Sequence, residues 1–136
     1  MIPLTERGRQ DALLNANVAL PNAATTANTN AVDLGKVAPF PIQESFYIKL
    51  TTTTGNGANN KNITVKLQDS ADNTTFANIA ALGSLMVTDN NGAGFPAASL
   101  SVQLPPDVRR YIRGQATGEA NGGNAANGTL TVALLF

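Results

Sequence analysis

The feature that most narrows the fold of this chain is a two-residue rhythm that restarts several times along it. Between Gln43 and Thr53, Phe46, Ile48 and Leu50 alternate with Tyr47, Lys49 and Thr51. Between Asn62 and Asp69, Ile63, Val65 and Leu67 alternate with Thr64, Lys66 and Gln68. Leu100, Val102 and Leu104 do the same against Ser99, Ser101 and Gln103, and Leu130, Val132, Leu134 and Phe136 point one way at the end. Successive side chains of a strand face opposite sides of its sheet, so each run describes a strand with one buried and one wet face.

Turn chemistry separates these runs. Gly55 to Asn60, Ser70 to Thr74, Asp89 to Gly92 and the Gly- and Asn-rich stretch 118–128 supply residues that tolerate positive φ. Pro105-Pro106 lacks two amide donors and ends ladder pairing. Shorter strand signals fall in 31–37, around Phe76 and Ile79, in 82–88 and in 108–117. The sum is about eight strands with no long helix, which predicts an all-β, jelly-roll-like two-sheet β-sandwich. Alternation alone leaves an immunoglobulin-like or fibronectin-like sandwich open. The runs at 43–53 and 62–69 read as a hairpin across the Gly55 turn.

The first thirty residues have a different texture. Leu14 and Val18 are four apart and Asp11 can cap a turn, so 11–20 has the spacing for a short helix stopped by Pro21, at most a helical turn within an extended arm. Residues 22–30 are small and polar. The expected organisation is an extended N-terminal arm over 1–30 and a β-sandwich domain over 31–136.

Composition then excludes chemistry. The 136 residues include no cysteine and no histidine, which removes disulfides, thiolate nucleophiles and the commonest proton shuttle and metal ligand. Nine acids balance nine bases, and charged residues are only 13% of the chain, so no net field draws it to nucleic acid or an anionic membrane. The start at Met1-Ile2-Pro3 shows no basic-then-apolar segment, so the protein is expected to stay in the cell that makes it. No catalytic residue, metal or cofactor is expected. Asp89-Asn90-Asn91-Gly92 and the pair Asp69 and Asp72 offer oxygens of the kind calcium takes, but lack a calcium loop's ligand spacing. They read as turns.

Leu104-Pro-Pro-Asp-Val-Arg-Arg-Tyr-Ile-Arg113 is the most distinctive segment. Alternation places Arg109, Tyr111 and Arg113 on one face and Val108, Arg110 and Ile112 on the other. Such a stripe reads equally as a grip for a protein partner and as a strand whose arginines flank a sheet edge. In the arm, Arg7, Arg9, Leu13 and Leu14 are the matching candidates for partner contact.

Together with Asn30-x-Val-Asp-Leu-Gly35, Val65-x-Leu-Gln-Asp-Ser-x-Asp72 and a C-terminal Gly-x-Leu-Thr-Val-Ala-Leu-Leu, this segment gives the chain from about residue 12 to its end a resemblance to the Bbp16-like cementing proteins of a Bordetella phage. The chain departs from that pattern in its loops, its Asn content and Gly114 after Arg113. The resemblance implies a jelly-roll protomer that forms homotrimers and decorates the outside of a phage head, bridging major capsid subunits. It implies a virion protein made in the bacterial host cytoplasm. The alternative is a carbohydrate-binding or adhesive jelly-roll module of a phage tail or fibre. Against it stand the absence of tryptophan and an aromatic content of 5%.

Overall fold

The computed structural model describes residues 10–35, 47–105 and 107–135. Phe46, Pro106 and Phe136, to which the sequence assigns strand or corner positions, lie outside them.

Ten strands and one 3-10 turn make up the described chain: β1 (Gln10–Ala19), β2 (Thr26–Asn28), β3 (Val32–Asp33), β4 (Tyr47–Thr52), β5 (Asn62–Ser70), β6 (Ala77–Asn78), β7 (Ser84–Thr88), β8 (Ala98–Gln103), β9 (Tyr111–Gly118) and β10 (Thr129–Leu135). The first sheet runs β1-β10-β4-β8. The second runs β2-β9-β5-β6, with β3 also on β9 and β7 also on β5. Every pairing is antiparallel. If β2 with β3 and β6 with β7 each count as one interrupted strand, eight remain. Their order is first, eighth, third, sixth in one sheet and second, seventh, fourth, fifth in the other. That order is a jelly roll, so the expected fold class holds and the open choice among sandwiches is settled.

The alternating residues face where the rhythm places them. Ile48, Leu50, Ile63, Val65, Leu67, Leu130, Val132 and Leu134 are buried between the sheets, joined by Leu20, Val32, Phe95, Leu104, Val108 and Ile112. Each such aliphatic side chain contributes about 1.5–3 kcal/mol by leaving water. Of the outward set, Tyr47, Lys49 and Lys66 are exposed and Thr51 and Thr64 half-buried, whereas Gln68 is buried on the outer face beneath Arg113 and Asn78. Asparagine shares the turns with glycine: Asn59, Asn60, Asn73, Asn91 and Asn121 all have positive φ, a region asparagine enters more readily than most residues.

Two expectations are corrected. The stretch 11–20 is not helical: β1 pairs with β10 from Asn15↔Ala133 to Ala19↔Thr129, with a register shift before Asn15. An Asn-exposed, Ala- or Val-inward alternation over Asn15 to Ala19 suits a strand as well as the Leu14–Val18 spacing suits a helix, and the edge of β10 decides by offering its ladder. The stretch read as an arm thus places β1 in one sheet and β2 in the other. Nor do β4 and β5 form a hairpin. β4 pairs with β10 and β8, whereas β5 pairs with β9, β6 and β7. The connection 53–61 crosses between sheets that pack roughly 10 Å apart, and alternation fixes a strand's inward face without naming its neighbour.

Candidate functional site

Strand β9 positions the distinctive segment, but the strand begins at Tyr111, so the alternation drawn through Val108 to Arg110 stops short. Val108 and Ile112 are buried. Arg110, expected on their face, instead turns out to Asp33: Nε donates to Oδ1 at 2.8 Å and Nη2 to Oδ2 at 2.9 Å, a two-pronged pair. The Arg110 guanidinium also sits 5.1 Å from the Tyr111 ring centre. The fork from Arg110, helped by the Gly35 amide, holds the Asp33 carboxyl down at about 2, and the same pairing raises Arg110.

Arg109 is clasped more firmly. Its Nε and Nη2 donate to Asp69 Oδ1 at 2.9 and 2.7 Å, its Nη2 also donates to the Asp69 carbonyl at 2.8 Å, and its own amide donates to Oδ2 at 3.0 Å. Asp69 is well shielded, its side chain 13% exposed. Arg113 donates to Gln68 Oε1 at 2.8 Å and lies 4.0 Å from the Phe76 ring centre. Partial burial there pushes the Arg113 guanidinium below its ordinary range.

Register extends this cluster across the outer face of the second sheet. Asp33, Tyr111 and Ser70 form one row, and Arg113 and Gln68 with Asn78 form the next. The following rows, Asn28-Gln115-Lys66-Ser84 and Thr26-Thr117-Thr64-Met86, are hydroxyls, amides, one lysine and one exposed methionine. They border a groove of about 410 Å³ lined by Asn62, Thr64, Lys66, Gln115, Thr117, Gly118 and Glu119. Glu119 closes one end, accepting from the Asn62 amide at 2.9 Å and from Lys61 Nζ at 3.3 Å, contacts that lower its carboxyl below the usual range.

Tyr111 and Arg113 therefore share the outer face of the second sheet, Arg109 is held against Asp69 just before the strand, and both arginines have partners inside the chain. Leu13 and Leu14 lie on β1 in the other sheet. Arg7 and Arg9 lie outside the described residues. The acidic partners Asp33 and Asp69 were present in the sequence motifs, but nothing in spacing alone joins Asp33 to Arg110 across 77 residues or Asp69 to Arg109 across 40.

The turn carboxylates are occupied by amides. Burial pushes Asp89 up, but the Gly92, Gly94 and Asn60 amides donate to it at 2.7, 2.9 and 3.1 Å and outweigh that, so its net shift is downward. The amides of Thr75 and Thr74 and the Ser70 hydroxyl hold Asp72 at about 2. No cluster of three potential metal-ligating side chains occurs among the described residues. No helix among them is long and apolar enough to cross a membrane.

A family model, Bbp16, matches residues 18–134. No curated protein matches in sequence. Among solved structures, the PBSX exported protein XepA superposes with a TM-score of 0.55 over 98% of this chain at 15% identity, and the chain spans 39% of XepA. CBM27-1 of Caldicellulosiruptor saccharolyticus, solved in complex with mannohexaose, superposes with a TM-score of 0.50 over 89% of this chain and 72% of its own, at 12% identity. At these identities the two structures speak to the β-sandwich fold.

Proposed function

Because this chain belongs to the phage-associated Bbp16 family, we propose that it is a structural protein of the virion that decorates and cements the capsid exterior. The observation that carries the reading is the match of that family across nearly all of the jelly roll. The geometry is compatible with it: the cluster around β9 is spent on internal ion pairs, which stiffen the sandwich. A cement acts by position, without catalysis. A rigid protomer set at a threefold as a homotrimer presents three equal contact sets to neighbouring major capsid subunits, and modest contacts then sum to firm attachment. Binding the assembled shell in preference to its free subunits stabilises the shell by mass action.

Removal of residues 1–9 tests the contribution of the N-terminal segment, because it leaves β1 on its sheet. In a sedimentation assay with empty shells, the full chain is expected to pellet with the shells as a trimer. If the shortened chain remains trimeric but stays in the supernatant, the segment anchors the protein to the shell; loss of the trimer marks it as an intersubunit strap. Failure of the full chain to pellet would sink the cement reading.

A second reading is favoured by one observation. The groove on the second sheet is lined by hydroxyl, amide and charged side chains, the hydrogen-bonding set a saccharide uses, and the similar CBM27-1 module was solved with a mannan oligosaccharide. Its lining contains no aromatic ring for a sugar face. A glycan array separates the two readings: retention of an oligosaccharide that is lost in Gln115→Ala supports the groove.

A further inference from the structure

Four Asn-Gly pairs occur in the chain, at 56–57, 91–92, 121–122 and 127–128. Asn-Gly is the sequence most prone to succinimide formation, because a glycine amide meets no side chain in approaching the preceding carboxamide. The fold treats the four differently. The Gly92 amide donates to Asp89 Oδ2 at 2.7 Å, the Gly122 amide to the Glu119 carbonyl at 3.1 Å and the Gly128 amide to the Ala125 carbonyl at 2.8 Å. Asn127 is restrained further, since its Oδ1 accepts from the Asn56 amide at 2.9 Å. Among the described residues, Gly57 alone of the four glycines has an amide with no acceptor, and the exposed Asn56 side chain before it has no hydrogen-bond partner. Position 57 must also stay glycine, because a Cβ there would lie 2.5 Å from Asp89 Oδ1.

We propose that Asn56 is a site of spontaneous covalent modification that ages this protein. The Gly57 nitrogen gives up its proton and bonds to Asn56 Cγ. The Cγ–Nδ2 bond breaks, and Nδ2 leaves with that proton as ammonia. Water then opens the five-membered succinimide at either carbonyl, leaving aspartate or isoaspartate. Isoaspartate lengthens the backbone by one carbon where Gly55 bonds to Phe95 and Ala58 bonds to Gly122, the contacts that tie three loops together at this end of the sandwich. Either product adds a negative charge to the residue before Gly57, which packs against Asp89.

The test is incubation of the intact protein at mildly alkaline pH, followed by peptide mass spectrometry with fragmentation that separates aspartate from isoaspartate. Deamidated product at Asn56 is expected about fivefold faster than at Asn91, Asn121 or Asn127, the factor imposed by first breaking the one hydrogen bond of each glycine amide. In denaturant the four rates are expected to converge, which assigns the difference to the fold. Asn56→Gln, which closes a ring far more slowly, should remove the leading product. Equal rates in the folded protein, a lead by any of the other three pairs, or no product at Asn56 while the denatured chain converts would overturn the proposal.

Discussion

The ion pairs of the neighbouring Arg109 and Arg110 are expected to differ in strength because their carboxylates differ in shielding. Asp33 and Arg110 are 45% and 40% exposed, so Asp33→Ala should cost less than about 1 kcal/mol. Asp69 is 13% exposed and accepts from both the side chain and the amide of Arg109, so Asp69→Ala should cost about 1.5–3 kcal/mol. Urea denaturation of both variants checks the ranking, and equal losses would show that the clasp contributes little beyond its exposed counterpart. Thr52 makes the opposite case. It is 1% exposed, and its hydroxyl has no partner among the described residues. Thr52→Val removes that unmet group with little change in shape and should stabilise the fold by about 1 kcal/mol, read as a higher Tm. Such pairings are nearly invisible in sequence. Arg109, Tyr111 and Arg113 stood out by residue type, but their roles depend on carboxylates brought from distant strands.

Strands were legible wherever large aliphatic residues alternated with polar ones, as in β4, β5, β8 and β10. They were not legible in β1, where alanine stands at both exposed and half-buried positions and carries no rhythm of its own. Neighbour relations were hidden too, since nothing local distinguishes the crossing at 53–61 from a hairpin. Gly114 illustrates a residue whose reason is purely tertiary. It sits on β9 between buried Ile112 and Ala116, where an added Cβ would lie 2.6 Å from Val132 Cγ2 and 3.2 Å from Leu130 Cδ2 of the facing sheet. Its amide also donates to the buried Thr29 hydroxyl at 3.0 Å. Gly114→Ala should therefore push the sheets apart and cost about 1–3 kcal/mol in thermal or urea unfolding. An unchanged Tm would mean that the sheets close less tightly than this spacing requires.

The molecule as a whole should respond to acid alone between neutrality and low pH. Asp33, Asp72, Asp89 and Glu119 all have carboxyls lowered in the folded state, Asp33 and Asp72 from 3.8 to about 2. A lowered folded value means stability present in full above the unfolded value and lost as pH falls through the folded one. The Tm is thus expected to be flat above about pH 5 and to fall between about pH 4 and pH 2. With no histidine in the chain, no step should appear near pH 6, and one would contradict this assignment of the titrating groups. The proposed role also belongs to this scale, because a jelly roll held by internal pairs is of use to a capsid through where it sits. The most direct measurement is the melting of empty capsid shells with and without the added protein, followed by calorimetry. The shell transition should move to higher temperature as the protein fills its sites and stop moving at saturation; a transition that stays in place while the protein occupies the shell would contradict a cementing role.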